Sequence, residues 1–351
     1  MSQPAVSTKP VKASPVNPED RIESSLRPVR KGDWSYEHAR HLLWRAGFGG
    51  DESQVRWLAE IGAEKAVDAL LNVEKVPSEA VKPEQFDAGI MAPPNEEERQ
   101  MARRAQQMQD EDTLARIRLE RQRREREDRL QMNEVQKWWL RRLIETPRPL
   151  EEKMALFWHG LLATSFRTIE NSYHMFVQNQ LFRKHALGSY AELLTGLIRD
   201  PAMLAYLDNN DSRRNKPNEN LAREIMELFS LGIGNYTEED IKQGARALTG
   251  YTFEDDEFRF QKNNHDTGTK TILGQTGTWT GDDFVRIILD QQACAKFITR
   301  KLYSYFVADV PPDERGGDKD LEPAQRTVLR NLADAFRGGR YEIKPLLRRL
   351  F

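Results

Sequence analysis

The sequence predicts a mainly α-helical fold: a multi-helix globular domain with one small β-hairpin near 258–275 and a long charged helical insert. Three observations carry this. Apolar residues return at helical spacing through most of the chain after Trp34, as in Ala39, Leu42, Leu43 and Ala46. Helix-start signatures recur, with Ser189 three residues before Glu192, Thr237 before Asp240 and Thr280 before Asp283. Only FRFQ and TKTILG, flanking NNHDTG, read as paired strands around a turn.

With 351 residues the chain can bury a sizeable core. Residues 1–30 are rich in Pro, Ser, Lys and Val and cannot offset their ordering entropy, so they read as a disordered tail before one helical domain over 31–351. The formal charge of -2 argues against a nucleic-acid-binding footprint. The one cysteine, Cys294, excludes an internal disulfide and a multi-cysteine zinc site, and its helical spacing assigns it to the core. No run reaches the roughly 18 apolar residues of a membrane span. The start lacks an apolar signal region, so the expected compartment is the cytoplasm.

Taken in order, the first helix runs through YEHARHLLWRAGF and stops at Gly47 and Gly49. His38 and His41 share a face on it, with no third metal ligand nearby. Two more helices follow, from about Asp51 to Ile61 and Ala63 to Leu71. A linker and charged insert occupy 74–133. The linker, 74–95, holds four prolines. Between Glu96 and Arg129 lie ten arginines and ten acids, so the segment is neutral, with signs alternating at helical spacing. That pattern fits a solvent-exposed, ion-paired helix or helical hairpin, and it makes the helix over 96–130 the candidate surface for a protein partner.

VQKWWLRRLIETP reads as a buried helix ended before Pro147. LEEKMALFWHGLLATSF is apolar on nearly every side after its polar start of Glu151, Glu152 and Lys153, so it belongs in the core. His159 sits inside it, between Ala155 and Ala163 and next to Gly160. A buried imidazole needs a hydrogen-bond partner or a metal, which makes His159 either a satisfied core group or an acid/base candidate. Helices at 170–187 and after Ser189 and Asp200 follow, then an Asp/Asn-rich loop.

KPNENLAREIMELFSLG is read as a helix from Glu219 to Leu231, capped by Asn218 and stopped by Gly232. On a regular wheel Leu221, Ile225, Leu228 and Phe229 face the core. Glu219, Arg223 and Glu227 form a surface ladder. Asn220 and Glu224 lie at the buried edge, so Glu224 is the acid expected to be partly desolvated, with a raised pKa. The nearby oxygens suggest a hard divalent metal, with Asp208, Asn210, Asn220 and Glu224 as ligands, although the spacing is not that of an EF-hand and Asx residues also make turns without metal. His265 and Asp266 stand at the expected hairpin tip, as an acid/base pair or as a polar turn with a capping acid. Helices around DDFVRIILD, QACAKFITRKLYSYFV and LEPAQRTVLRNLADAF complete the chain, which ends inside IKPLLRRLF.

ARHLLWRAGFG, FWHGLLATS, DPAMLAYLDNN, PNENLAREIMELFSLG, YTEEDIKQGARALTGYTF, HDTGTKTILG and KFITRKLYSYFV, in this order, resemble the bacterial family known as domain of unknown function 1800. The resemblance implies a mostly helical protein with no assigned activity. It also implies relatives that are often exported and that continue past IKPLLRRLF, so the chain reads as truncated or shortened.

Two functions compete on these residues. One is a hydrolase-like enzyme using His159, Glu224, His265 and Asp266, with or without a divalent metal. The other is a scaffold or partner-binding protein using the charged helix over 96–130.

Overall fold

The computed structural model describes residues 28–30, 32–77, 85–310 and 321–351. The expected tail, part of the linker and the loop at 311–320 therefore fall largely outside the described residues. The rest is 65% helical, with 16 helices and two two-stranded antiparallel sheets.

Three short helices open the fold: α1 (Tyr36–Ala46), α2 (Glu52–Ile61) and α3 (Ala63–Leu71). Asp51 starts α2 with a full capping box to Gln54. α4 (Glu96–Met108) turns through the left-handed Gln109 into α5 (Glu111–Glu145), a single helix of 35 residues, roughly 50 Å long at 1.5 Å per residue. α5 changes character along its length. Before Asp128 it buries no residue; after it, Asp128, Val135, Trp138 and Arg142 are buried. Its outer half is the expected charged helix, with ion pairs Arg118–Glu111, Arg121–Glu125 and Arg123–Glu120. The segment before α4 is laced onto it: Gln131 exchanges two hydrogen bonds with the Asp87 backbone, and Arg124 donates to the Ile90 and Ala92 carbonyls.

α6 (Pro149–Leu161), α7 (Phe166–Ile169), α8 (Ser172–Lys184), α9 (Tyr190–Leu197) and α10 (Pro201–Tyr206) form the middle of the molecule. α6 begins on Pro149, whose fixed φ suits the first helical position. Trp158 stacks on Tyr190 at 5.7 Å, and the Tyr190 hydroxyl donates to the Phe229 carbonyl at 2.7 Å. α11 (Asn220–Glu224) and α12 (Glu238–Ala247) follow, then strands β1 (Tyr251–Glu254), β2 (Glu257–Phe260), β3 (Lys270–Ile272) and β4 (Gln275–Gly277). α13 (Gly281–Leu289), α14 (Gln292–Phe306), α15 (Pro323–Gly338) and α16 (Ile343–Leu350) close the chain. One continuous apolar core runs from Ala39 to Leu350, with Cys294 buried inside it as expected. Arg45 on α1 ties the two ends together by donating to the carbonyls of Phe306 and Leu350.

Two details differ from the sequence reading. FRFQ does not pair with TKTILG. It folds back on YTFE, Tyr251 against Phe260 through Glu254 against Glu257, because the Asp255–Asp256 turn is tighter and closer in sequence; TKTILG makes its own hairpin with 275–277. The helix over 220–230 is also not one regular helix. Its second half, Ile225–Ser230, is π-helical, and Leu231 N–H reaches back five residues to the Met226 carbonyl at 2.9 Å. The wider turn rotates Leu228 out to solvent at 49% exposure and brings Ser230 inside, where its hydroxyl donates to the Ile225 carbonyl at 2.5 Å.

This register is testable by denaturant titration. Leu228→Glu is expected to leave the unfolding free energy within about 0.5 kcal/mol, whereas Phe229→Ala lowers it by about 3–5 kcal/mol. A large loss for Leu228→Glu would restore the regular wheel.

Candidate functional site

The buried polar groups of this protein concentrate on α8. His174, Gln178, Asn179 and Arg183 are all buried there. Spacing of four residues puts His174 beside Gln178 and Asn179 beside Arg183. His174, Gln178 and Arg183 each reach a different neighbouring element, while Asn179 Oδ1 accepts from Arg183 Nη2 at 2.7 Å within the helix.

Arg183 reaches the first turn of α6. Glu152, with no exposed surface, accepts from Arg183 Nε at 2.6 Å and Nη2 at 3.0 Å. It also accepts from Arg142 Nε at 2.9 Å and from Trp139 Nε1 at 3.2 Å. Burial pushes the Glu152 carboxyl up, but the bonds and charge of Arg183 and then Arg142 outweigh it and hold the group below the ordinary range. The Trp138 ring receives both guanidiniums, Arg183 at 5.1 Å and Arg142 at 5.5 Å. Three helices, α5, α6 and α8, thus meet on one carboxylate.

Gln178 reaches the start of α10. Its amide donates to Asp200 Oδ2 at 2.6 Å, its carbonyl accepts from Thr164 Oγ1 at 2.6 Å, and Asp200 also caps α10 through Met203 N–H at 2.9 Å. Burial pushes the Asp200 carboxyl up to about 7, against these two bonds. His174 reaches the first hairpin, with Nε2 3.0 Å from Asp256 Oδ1. Burial lowers the His174 pKa, and the Asp256 carboxylate opposes that.

The residues singled out in the sequence lie elsewhere. His159 is half-buried on α6, edge-on to Trp139 with ring centroids 5.0 Å apart, and 6.3 Å from the Phe182 ring. Burial lowers its pKa. It makes no hydrogen bond among the described residues, and a side chain at Gly160 would meet nothing within 4 Å. The ring is only half-buried, so solvent can reach and satisfy it. Glu224 is half-buried with its pKa raised, first by desolvation and then by Glu227, as expected from its place at the edge. Glu227 is not part of the ladder: it accepts from Tyr236 Oη at 2.6 Å, and Arg223 bridges Glu219 and Glu238 instead.

His265 Nδ1 lies 2.9 Å from the Thr249 carbonyl, its ring packs on Phe260, and burial lowers its pKa. Asp266 is clamped by Arg246 at 2.7 and 3.1 Å, which holds its carboxyl below the ordinary range. Lys270 Nζ, itself buried, donates to the Asp266 and Gly268 carbonyls. These residues stitch the loop after β2 to the end of α12. No hydrogen bond, ion pair or ring contact joins His159, Glu224 and His265 to one another.

Of the suggested metal ligands, Asp208, Asn210 and Asn220 are exposed. Asp208 is left-handed with φ 54, and its carbonyl accepts from Asn218 Nδ2 at 3.1 Å; the Asn210 carbonyl accepts from Thr252, and Asn220 N–H donates to Asn218 Oδ1 at 2.9 Å. These contacts are turn and cap chemistry. Among the described residues no three of His, Cys, Asp and Glu come together in a way that could hold a metal ion. His38 and His41 are exposed, and His38 Nδ1 lies 2.8 Å from Ser35 Oγ.

Two cavities lie on the α4–α5 hairpin. One, of about 170 Å³, lies where α5 meets α7 and includes Asp128, Arg129, Phe166 and Arg167. The other, of about 370 Å³, lies between α4 and α5 near their turn and includes Met101 and Met108. Neither is lined by His159, Glu224, His265 or Asp266.

Two predictions follow from the α8 network. Glu152→Gln leaves two buried guanidiniums short of charge and is expected to cost about 3–5 kcal/mol in chemical unfolding; a loss under 1 kcal/mol would mean the cluster is wet. Asp200 binds its proton more tightly folded than unfolded, so its contribution is full below about pH 4 and is lost as pH rises through about 7. Asn can keep both bonds, so Asp200→Asn should remove this part of the pH dependence, at most on the order of 4 kcal/mol. Parallel stability–pH curves for the two proteins would refute it.

No curated protein and no solved structure matches the chain. No helix among the described residues is long and apolar enough to cross a membrane. The family model described as protein of unknown function (DUF1800) matches residues 41–351, nearly the whole chain, so the protein belongs to that family.

Proposed function

We propose that the protein is a partner-binding scaffold that presents the α4–α5 hairpin as its binding arm. The carrying observation is the position of these two cavities, both along the arm and neither lined by His159, Glu224, His265 or Asp266. The arm's surface supports the same reading. Met101, Met108, Leu119 and Leu130 are exposed along it, at 53–80%. They alternate with ion pairs, a mixture of adaptable apolar side chains and charges suited to a protein surface. At the base, Glu152 with Arg142 and Arg183 holds α5 to the body, so the arm has a set direction.

A second reading, a hydrolase-like enzyme, rests on His159, a half-buried imidazole whose pKa burial lowers, as the base. Glu224, with its raised pKa, would serve as the acid. A divalent metal would draw on Asp208, Asn210, Asn220 and Glu224, a set with only two carboxylates.

One comparison separates the two. A photo-cross-linker at Met108 should capture one partner protein; the purified partner should bind the wild-type chain and lose about tenfold or more affinity for Arg118→Glu/Arg123→Glu, with His159→Ala unchanged. If no arm substitution alters binding, the scaffold reading fails. The enzyme reading requires hydrolysis of an ester or amide reporter that falls about 10²–10⁴-fold in His159→Ala.

A further inference from the structure

We infer that the cavity between α5 and α7 is a subsite for a basic side chain of a polypeptide partner, with an acidic neighbour of that side chain held by Arg129 and Arg167. The inference rests on the reading of the hairpin as a binding arm and names the chemistry that its base recognises.

Asp128 carries the argument. It is 2% exposed, lines the cavity, and spends one oxygen, Oδ1, on the Ser172 N–H at 2.8 Å. Oδ2 makes no hydrogen bond among the described residues. No ion pair reaches it, in contrast to Glu152, the other buried acid on this side of α8, which has two guanidiniums. Oδ2 is not sealed from solvent, so a cation that reaches it gains a charge-assisted bond without displacing the Ser172 contact. The space beside it is the cavity, and the other acid free to help is Glu170, which makes no ion pair. Glu125 already pairs with Arg121 at 2.8 Å.

The occupant is set by size and shape. Pockets for whole small ligands are roughly 300–1,000 Å³; this one is about 170 Å³, the scale of one long side chain. A metal ion does not fit, because these carboxylates do not converge as metal ligands. A guanidinium or ammonium does: its stem lies on Met91 and Phe166 while its head meets Asp128. Arg129 and Arg167 line the same cavity, are exposed, and make no ion pair or hydrogen bond through their side chains among the described residues. They would repel a lone cation, so the segment must carry an acid beside the base.

The probe is the dipeptide acetyl-Arg-Glu-amide, titrated by calorimetry and by amide NMR shifts around Ser172. Saturable binding is expected, weakened about tenfold by Asp128→Asn, which keeps the Ser172 acceptor, and several-fold by Arg129→Glu/Arg167→Glu, whose side chains are exposed and carry no contacts. Thermal melts confirm that each variant is folded. Equal binding to wild type and Asp128→Asn, or no saturable binding, overturns the subsite. Equal affinity for acetyl-Arg-amide overturns the acidic neighbour. If the subsite fails while cross-linking from Met108 still captures its partner, the arm reading stands without it.

Discussion

The carboxylate of Glu152 is the point on which the arrangement of the molecule depends. Two guanidiniums, Arg183 through a forked pair of bonds and Arg142 through Nε, and an indole N–H converge on it from α5 and α8, and its own backbone belongs to α6. Such a cluster adds little net stability over an apolar core, because desolvating three charges offsets most of the attraction. What it adds is direction. A bidentate Arg–carboxylate contact tolerates little rotation, and both guanidiniums rest against the Trp138 ring. An apolar seam among three helices could settle in several registers; this one has a single arrangement that leaves no charge unpaired.

That direction matters because of what extends from it. Before Asp128, α5 buries no residue, so no buried packing of its own tells the outer helix where to point. Its course is set by the Glu152 cluster at one end and by Gln131 and Arg124, which bind the chain entering α4. The two charged populations of α5 therefore act differently. Arg118, Arg121 and Arg123 make exposed pairs worth a few tenths of a kcal/mol each. Arg142 makes a buried one whose loss is costly. The helical spacing of charges looks the same in both halves, and only the neighbours distinguish them.

This explains how far the sequence could be read. The helical class, the capping boxes at Thr237 and Thr280, the buried Cys294 and the edge position of Glu224 depend on local patterns, and the structure contains them. Ser189 offers the same local pattern but makes no side-chain cap; its backbone instead bridges to Glu342, about 150 residues further on. Leu228 was misplaced because a wheel assumes one period, and the π-turn from Ile225 changes it. Glu152 was hidden for a related reason. In a first helical turn an acid favours the N-terminal dipole, so Glu151, Glu152 and Lys153 look like an exposed start. Nothing local says that Arg142 and Arg183 wait on either side.

The same contrast bears on the candidate site. His159, Glu224 and His265 stand out as ionisable residues within apolar sequence, and each sits in surroundings of its own: aromatic edges, the repelling Glu227 carboxylate, and a backbone carbonyl. The groups that depend on one another are Glu152, Arg142 and Arg183, and Thr164, Gln178 and Asp200, which are complete without a ligand. Asp128 differs from both kinds. It is as buried as Glu152, lies on the same helix as Arg142, and has one oxygen committed to the start of α8. The other strongly buried acids of the described residues differ from it: Glu152 has two guanidiniums and an indole N–H, and Asp200, held by Gln178 and the Met203 N–H, has its carboxyl pushed up to about 7. An acid with the task but too few partners, at the wall of a cavity where the arm leaves the body, is where an incoming group would gain most from binding.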